Sequence, residues 1–358
     1  MIINQIFREA IKQGADYIEC DIVVTKDLKL YCNHDPWLSK ITPNLSTHQE
    51  FSSRRKMMPV FYEDPYDDSY VEWNITDWFF HDFTEDELKS LKRIQTKKSR
   101  DPNFDLKEGF CSFQEFIDIA KESNVGIYPE LKYPFFVNSI LRSRGDNTSL
   151  EDLVLDILNK NGYNQRNSKC FIQCFEKKSL EYVRTKTNLK RVYLLWEDQA
   201  HLRNLDSNNR LLKNKQMWSS ALDWAKKEKI DGFGLDKSFI VSENKNGYVS
   251  NSYSYMIEES KGNGILTHVY TFAHDDDHFH WNDGKDPYLE YQFYADMGID
   301  GFFTDFPATA KRFLEARSYR SGNINSAALK KYDTKFFYLI SVLLKLIVDR
   351  YQKIHSCF

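Results

Sequence analysis

Along most of this chain, short apolar runs rich in Val, Ile, Phe and Tyr alternate with longer segments in which apolar residues recur at helical spacing. The runs ADYIECDI (15–22), GIYPELK (126–132), KCFIQCF (169–175), RVYLLW (191–196), DGFGLD (231–236), LTHVYTF (266–272) and DGFFTDF (300–306) predict seven strands. Between them, FQEFIDIAKES, LEDLVLDILNKN, KKSLEYVRTKT, MWSSALDWAKKEK, SYSYMIEESKG and PYLEYQFYADM predict amphipathic helices. Strand, helix, strand, repeated in that order, predicts a parallel sheet with helical crossovers and so an α/β fold. A (β/α)8 barrel of the TIM type needs eight strands, yet the first element here, residues 2–13, is helical. The pattern therefore predicts such a barrel without its first strand. A doubly wound open sheet is the competing architecture, although no glycine-rich phosphate loop follows the first strand.

Residues 37–110 break the rhythm. The stretch is polar and too long for an ordinary barrel connection, so it reads as an inserted subdomain over the carboxyl end of the barrel. Inside it, Thr84 and Glu87 have capping-box spacing for a short helix. The expected organisation is a barrel over 1–316, a linker over 317–335 and an apolar C-terminal helix over 336–358. Within that helix FFYLISVLLKLIV (336–348) is too short to span a bilayer. It reads as a helix docked on the barrel or on a membrane surface, which makes peripheral membrane contact an expectation.

Composition narrows the choice of partner. The formal net charge of −3 gives no reason to expect a polyanion-binding surface, so nucleic acid is not an expected partner. Six cysteines are scattered without a CxxC pair, which argues against a zinc framework, and those inside strand-like runs read as small buried thiols. Asn44, Asn74 and Asn147 open Asn-x-Ser/Thr triplets of the kind found in secreted proteins.

The chemistry sits where charge interrupts the apolar runs. Glu19 and Asp21 are two residues apart on a strand and so share a face, while Ile18, Cys20 and Ile22 point the other way. Two carboxylates that close stay ionised only with solvent or a cation between them. Glu130 and Lys132 repeat the spacing on the second strand, at the end where barrel enzymes work. Three acids suit Ca²⁺ or Mg²⁺, and Lys132 would face the anion such an ion holds. His34, followed by Asp35, comes shortly after the first pair and suits acid or base chemistry near neutral pH. HDDDHFH (274–280) has the composition of a metal cluster but no regular spacing, and it reads as a solvated rim loop.

GADYIECDIVVTKD with NHD at 33–35, then GIYPELK, FIQCF, VYTF and GIDGFFTDFP, resemble the glycerophosphodiester phosphodiesterase family in its bacterial periplasmic-type branch. The resemblance runs over roughly residues 5–316. It implies a (β/α)8 barrel with a subdomain inserted after the His-Asp motif, and hydrolysis of a glycerophosphodiester substrate to glycerol 3-phosphate and an alcohol. It implies that Glu19, Asp21 and Glu130 ligate a divalent metal ion, Ca²⁺ or Mg²⁺. His34 matches one of two catalytic histidines, Lys132 a catalytic phosphate contact, and Gln173, Phe175 and Tyr270 positions that line the substrate pocket. Asp305 matches a structural position, a cap or an orienting acceptor. The family's opening strand, which ends in His-Arg-Gly, has no counterpart in this sequence. The expectation is thus an N-terminally shortened enzyme whose signal peptide, if it had one, went with the same segment, leaving a weakly secretory or membrane-associated location. The alternative is a catalytically impaired phosphate-binding or interaction protein on the same scaffold.

Overall fold

The structure is a computed structural model that describes residues 5–42, 45, 48–97, 100–196, 207–243, 249–252, 255–273 and 286–320. The chain divides into two compact units, Met1–Lys311 and Arg312–Phe358. Of the second, the description reaches Arg320, where the helix Pro307–Arg320 ends. That helix includes 317–320, the first residues of the expected linker. The rest of the linker and the apolar segment 336–358 lie outside the described residues, as does the HDDDHFH loop.

The thirteen described strands are β1 (Tyr17–Val24), β2 (Leu30–Cys32), β3 (Lys56–Glu63), β4 (Tyr70–Asp77), β5 (Cys111–Ser112), β6 (Gly126–Leu131), β7 (Phe171–Cys174), β8 (Lys190–Leu195), β9 (Gly232–Asp236), β10 (Val241–Glu243), β11 (Val249–Ser252), β12 (Leu266–Phe272) and β13 (Gly301–Thr304). The seven expected strands are β1, β6, β7, β8, β9, β12 and β13. They are hydrogen-bonded neighbours in sequence order and parallel at every step. A doubly wound sheet would reverse its order partway, so that alternative falls. The sheet is also curled: Phe303 of β13 meets Tyr128 of β6 at 4.9 Å between ring centroids, although four strands separate them in the sheet. Among the described residues β13 and β1 are not paired, so the series stands at seven parallel strands.

Why these runs are strands follows from their two burials. The inner face closes on itself, and the outer face is covered by helices such as Phe113–Glu122, which buries Phe113, Phe116, Ile117, Ile119 and Ala120. Strands covered on both sides read as continuous apolar runs, and β6 is buried at all six positions. The predicted first helix is present as Gln5–Lys12.

β2 turns back antiparallel on β1, with Cys32 opposite Ile22, and β5 adds to β2. This return puts Cys32 beside Cys20, and the two form a disulfide with Cα atoms 5.3 Å apart. The reading of Cys20 as a buried thiol is corrected. Cys111, Cys170 and Cys174 are buried and free.

The 37–110 segment carries the antiparallel β3–β4 hairpin, in register from Lys56↔Asp77 to Glu63↔Tyr70. It also carries the helix Glu85–Lys89, whose Thr84–Glu87 capping box is formed. Leu38, Ile41, Phe51, Trp78, Phe80, Phe83, Leu88, Leu91 and Phe110 pack with Val23 of β1 and Tyr31 of β2 in one core. The apolar contacts of this segment thereby fix it to the strand that carries Glu19 and Asp21.

Candidate active site

Below the acids, the inside of the curled sheet is filled with rings. Tyr128 and Phe171 stack at 5.1 Å, and Tyr17, His268 and Phe303 meet them edge to face. The Tyr128 hydroxyl and His268 Nδ1 are hydrogen-bonded at 2.8 Å, and burial pushes His268 down to about 4, so this link is neutral. The floor of the site is apolar and uncharged.

The acids stand on that floor. Asp21 is opposite Glu130 in the parallel register, and Glu19 is one pleat below on the same inward face. One carboxylate oxygen from each of Glu19, Asp21 and Glu130 lies within 4.8 Å of the others. Lys132 leaves the end of β6 and brings its ammonium to 3.1 Å from Asp21 Oδ1 and 2.9 Å from Glu130 Oε1. Gln173, opposite Glu130 on β7, donates from Nε2 to Glu19 Oε1 at 3.2 Å. The Phe175 ring lies 5.7 Å from Lys132 Nζ, and Tyr270 stands beyond it at 6.3 Å between centroids, its hydroxyl donating to the Leu195 carbonyl at 2.9 Å.

Electrostatics follow from the crowding. Burial first, then the charges of Asp21 and Glu130, push the Glu19 carboxyl well above the usual range. Burial pushes Glu130 up to about 8 against the pull of Lys132. For Lys132 itself, burial works against the ammonium, but Asp21 and Glu130 outweigh it and keep it charged. Only when all three acids are ionised does the single ammonium leave two negative charges over the apolar floor, and burial resists that state. The donor set of hard oxygens and the residual negative charge fit a divalent cation.

His34 reaches this group through the β1–β2 return. Asn33 donates from its backbone N–H to the Asp21 carbonyl at 2.9 Å, and the next residue is His34. Its Nδ1 is 3.0 Å from Asp35 Oδ1, and the ring is 76% exposed, open to a ligand. The Asp35 bond raises its pKa, while the Lys132 ammonium presses the other way.

The structure therefore gathers Glu19, Asp21, Glu130, Lys132, Gln173, Phe175 and Tyr270 on the inner face and sets His34 at their edge. Asp305, just past β13, is ion-paired with Arg100 of the 37–110 segment, a partner that the sequence did not indicate. Tyr128 and His268 went unnoticed because single polar residues in apolar strands carry no pattern.

The sequence profile of the glycerophosphoryl diester phosphodiesterase family matches residues 5–309. A glycerophosphodiester phosphodiesterase of Arabidopsis thaliana is 32% identical over 323 residues, covering 87% of this chain and 82% of that protein. One of Haemophilus influenzae is 25% identical over 327 residues, covering 86% and 84%. Two solved structures share the fold. A putative glycerophosphoryl diester phosphodiesterase of Silicibacter pomeroyi has TM-score 0.55 at 13% identity, over 87% of each chain. An Oleispira antarctica phosphodiesterase in complex with the product sn-glycerol-3-phosphate has TM-score 0.53 at 14% identity, over 87% of this chain and 90% of that one. With its matching profile, its relatives and its curled parallel sheet, the chain belongs to the glycerophosphoryl diester phosphodiesterase family.

Proposed function

We propose that this chain hydrolyses glycerophosphodiesters to glycerol 3-phosphate and an alcohol, with a divalent cation held by Glu19, Asp21 and Glu130. The observation that carries this reading is the meeting of those three carboxylates within 4.8 Å, with Lys132 bridging two of them. When bound, the cation supplies positive charge against the negative charge that builds on the phosphoryl oxygens. Lys132 meets the same oxygens from the side of Phe175, where its ammonium is kept charged. His34, oriented through Nδ1 by Asp35, presents Nε2 for proton transfer with the attacking or the leaving oxygen. Gln173 holds Glu19, and Phe175 and Tyr270 form an apolar wall for the organic part of the substrate.

The test is release of glycerol 3-phosphate from glycerophosphocholine, in Ca²⁺, in Mg²⁺ and in a chelator, by the wild type, Glu130→Gln and His34→Ala. Release that needs the metal and is lost in both variants supports the reading. No release by the wild type, or release unchanged in Glu130→Gln, removes it.

One observation favours a second reading, a phosphate-binding scaffold without turnover: among the described residues, His34 is the one histidine at the acidic group. Wild-type protein that binds glycerol 3-phosphate but leaves every diester intact would establish it. For location, a secretory route is supported by the Cys20–Cys32 disulfide, since such bonds persist in oxidising compartments.

A further inference from the structure

Two helices that begin beside Lys132 and Phe175 are capped by each other's neighbourhood rather than by their own residues. The helix Pro134–Ser143 starts after Tyr133, whose side chain makes no cap bond and whose backbone is left-handed at φ 48°. Its Phe135 N–H instead donates to Glu176 Oε2 at 3.0 Å. Glu176 is the N-cap residue of the helix Lys177–Lys186 but makes no bond to that helix's first turn; its carboxyl is given to Phe135 instead. The Lys177 N–H donates to Glu63 Oε1 at 3.2 Å, from the end of β3.

Tyr70, opposite Glu63 at the tip of the β3–β4 hairpin, joins the two acids. Its hydroxyl lies 3.3 Å from Glu176 Oε2 and 3.5 Å from Glu63 Oε2, and its ring stacks on Phe135 at 4.1 Å between centroids. Both carboxyls are buried, at 3% exposure each, and Glu176 Oε1 has no hydrogen-bond partner among the described residues. Burial pushes Glu63 up to about 7 and Glu176 up to about 8. A buried carboxyl is costly, and apolar side chains would close the same gap more cheaply. Its position explains its presence. Glu176 directly follows Phe175, and the N–H it accepts from lies three residues after Lys132. The one carboxyl fixes both chains that converge on the Lys132–Phe175 pair.

We propose that Glu176 is a positioning residue, which uses the tip of the β3–β4 hairpin to set Lys132 and Phe175 against the substrate. The inference rests on the diesterase reading for what Lys132 and Phe175 contact, and on geometry alone for the cap. It assigns the hairpin a part in substrate binding, with no role in holding the metal.

The test uses the full chain in three variants. Glu176→Gln keeps an acceptor for Phe135 and Tyr70, Glu176→Ala removes it, and Ser179→Ala breaks a buried bond from the first turn of the helix Lys177–Lys186 to Glu151 of the helix Leu150–Lys160 while leaving the Glu176 carboxyl and its partners in place. In Glu176→Ala, hydrogen exchange of the 132–136 amides is expected to rise at least tenfold, and KM for glycerophosphocholine about tenfold, with kcat within about threefold of wild type. Ca²⁺ affinity should stay within about twofold, because no metal-facing carboxylate moves. Glu176→Gln should restore both exchange and KM, and Ser179→Ala should lower the melting temperature without changing either. Unchanged exchange at 132–136 in Glu176→Ala, or an equal KM rise in Ser179→Ala, overturns the proposal. If the wild type turns over no diester, the diesterase reading fails by itself, and the exchange measurement still decides whether Glu176 holds the turn.

Discussion

Replacing Lys132 by Met should make the protein's stability depend on a divalent cation. The Lys132 ammonium touches Asp21 at 3.1 Å and Glu130 at 2.9 Å, and its side chain is 8% exposed. At an effective dielectric constant of about 20, each contact near 3 Å carries roughly 5 kcal/mol of attraction. Much of that offsets the cost of taking the ammonium out of water. Removing one partner of a buried pair leaves the other uncompensated and typically costs about 3–5 kcal/mol. Met is close to Lys in length, so little of the loss comes from a cavity. In a chelator, Lys132→Met should therefore melt on the order of 10 °C below wild type, at roughly 2–4 °C per kcal/mol. Millimolar Ca²⁺ should recover most of the gap, because a cation among Glu19, Asp21 and Glu130 replaces the missing charge. A ligand at about 100 times its Kd contributes about 2.7 kcal/mol. The assay is thermal unfolding of both proteins with chelator, Ca²⁺ and Mg²⁺. Equal melting temperatures in chelator, or a metal-induced rise no larger in the variant than in wild type, would refute the reasoning.

Three further outcomes are expected. His34→Ala should cut kcat on glycerophosphocholine by about 10²–10⁴ while moving the melting temperature by less than about 2 °C, since the ring is mostly exposed; a large loss of stability would mean that His34 is structural. His81 is held neutral by burial, with its pKa lowered to about 4, so its contribution to stability is present above the ordinary value of 6.5 and is lost as pH falls through about 4. At 1.36 kcal/mol per unit this amounts to about 3 kcal/mol, and His81→Phe, between Phe79 and Phe136, should flatten the fall in melting temperature between pH 6.5 and 4; an unchanged slope would count against it. Cys20→Ser should cost about 2–3 kcal/mol, as expected for opening a loop of this size, and should weaken Ca²⁺ binding because Glu19 and Asp21 flank the lost bond; calorimetry showing wild-type affinity would contradict the second part.

The parallel strands were legible because each is covered on both faces and so reads as an apolar run that a helix cannot share. The acids were legible for the same reason: a charge at Glu19, Asp21 or Glu130 is conspicuous against such a run, and a spacing of two fixes which face it takes. The disulfide was not, because Cys20 and Cys32 meet only after β2 has folded back on β1, and a separation of twelve residues carries no signature. Glu63, Tyr70 and Glu176 were hidden for a related reason. Each is an ordinary polar residue at the end of an element, and only the docking of the hairpin tip beside β7 gives them common partners. Arg100 and Asp305, 205 positions apart, are the extreme case.

The rings beneath the acids have a consequence for the protons the acids carry. Tyr17, Tyr128, Phe171, Phe303 and a neutral His268 offer no countercharge from below, so electroneutrality has to be met from the open side. Three carboxylates against the single ammonium of Lys132 leave two negative charges when all are ionised. Since burial holds the Glu19 and Glu130 carboxyls above the usual range, a divalent cation taken up there would have to displace their protons, and its uptake should release acid and strengthen as pH rises.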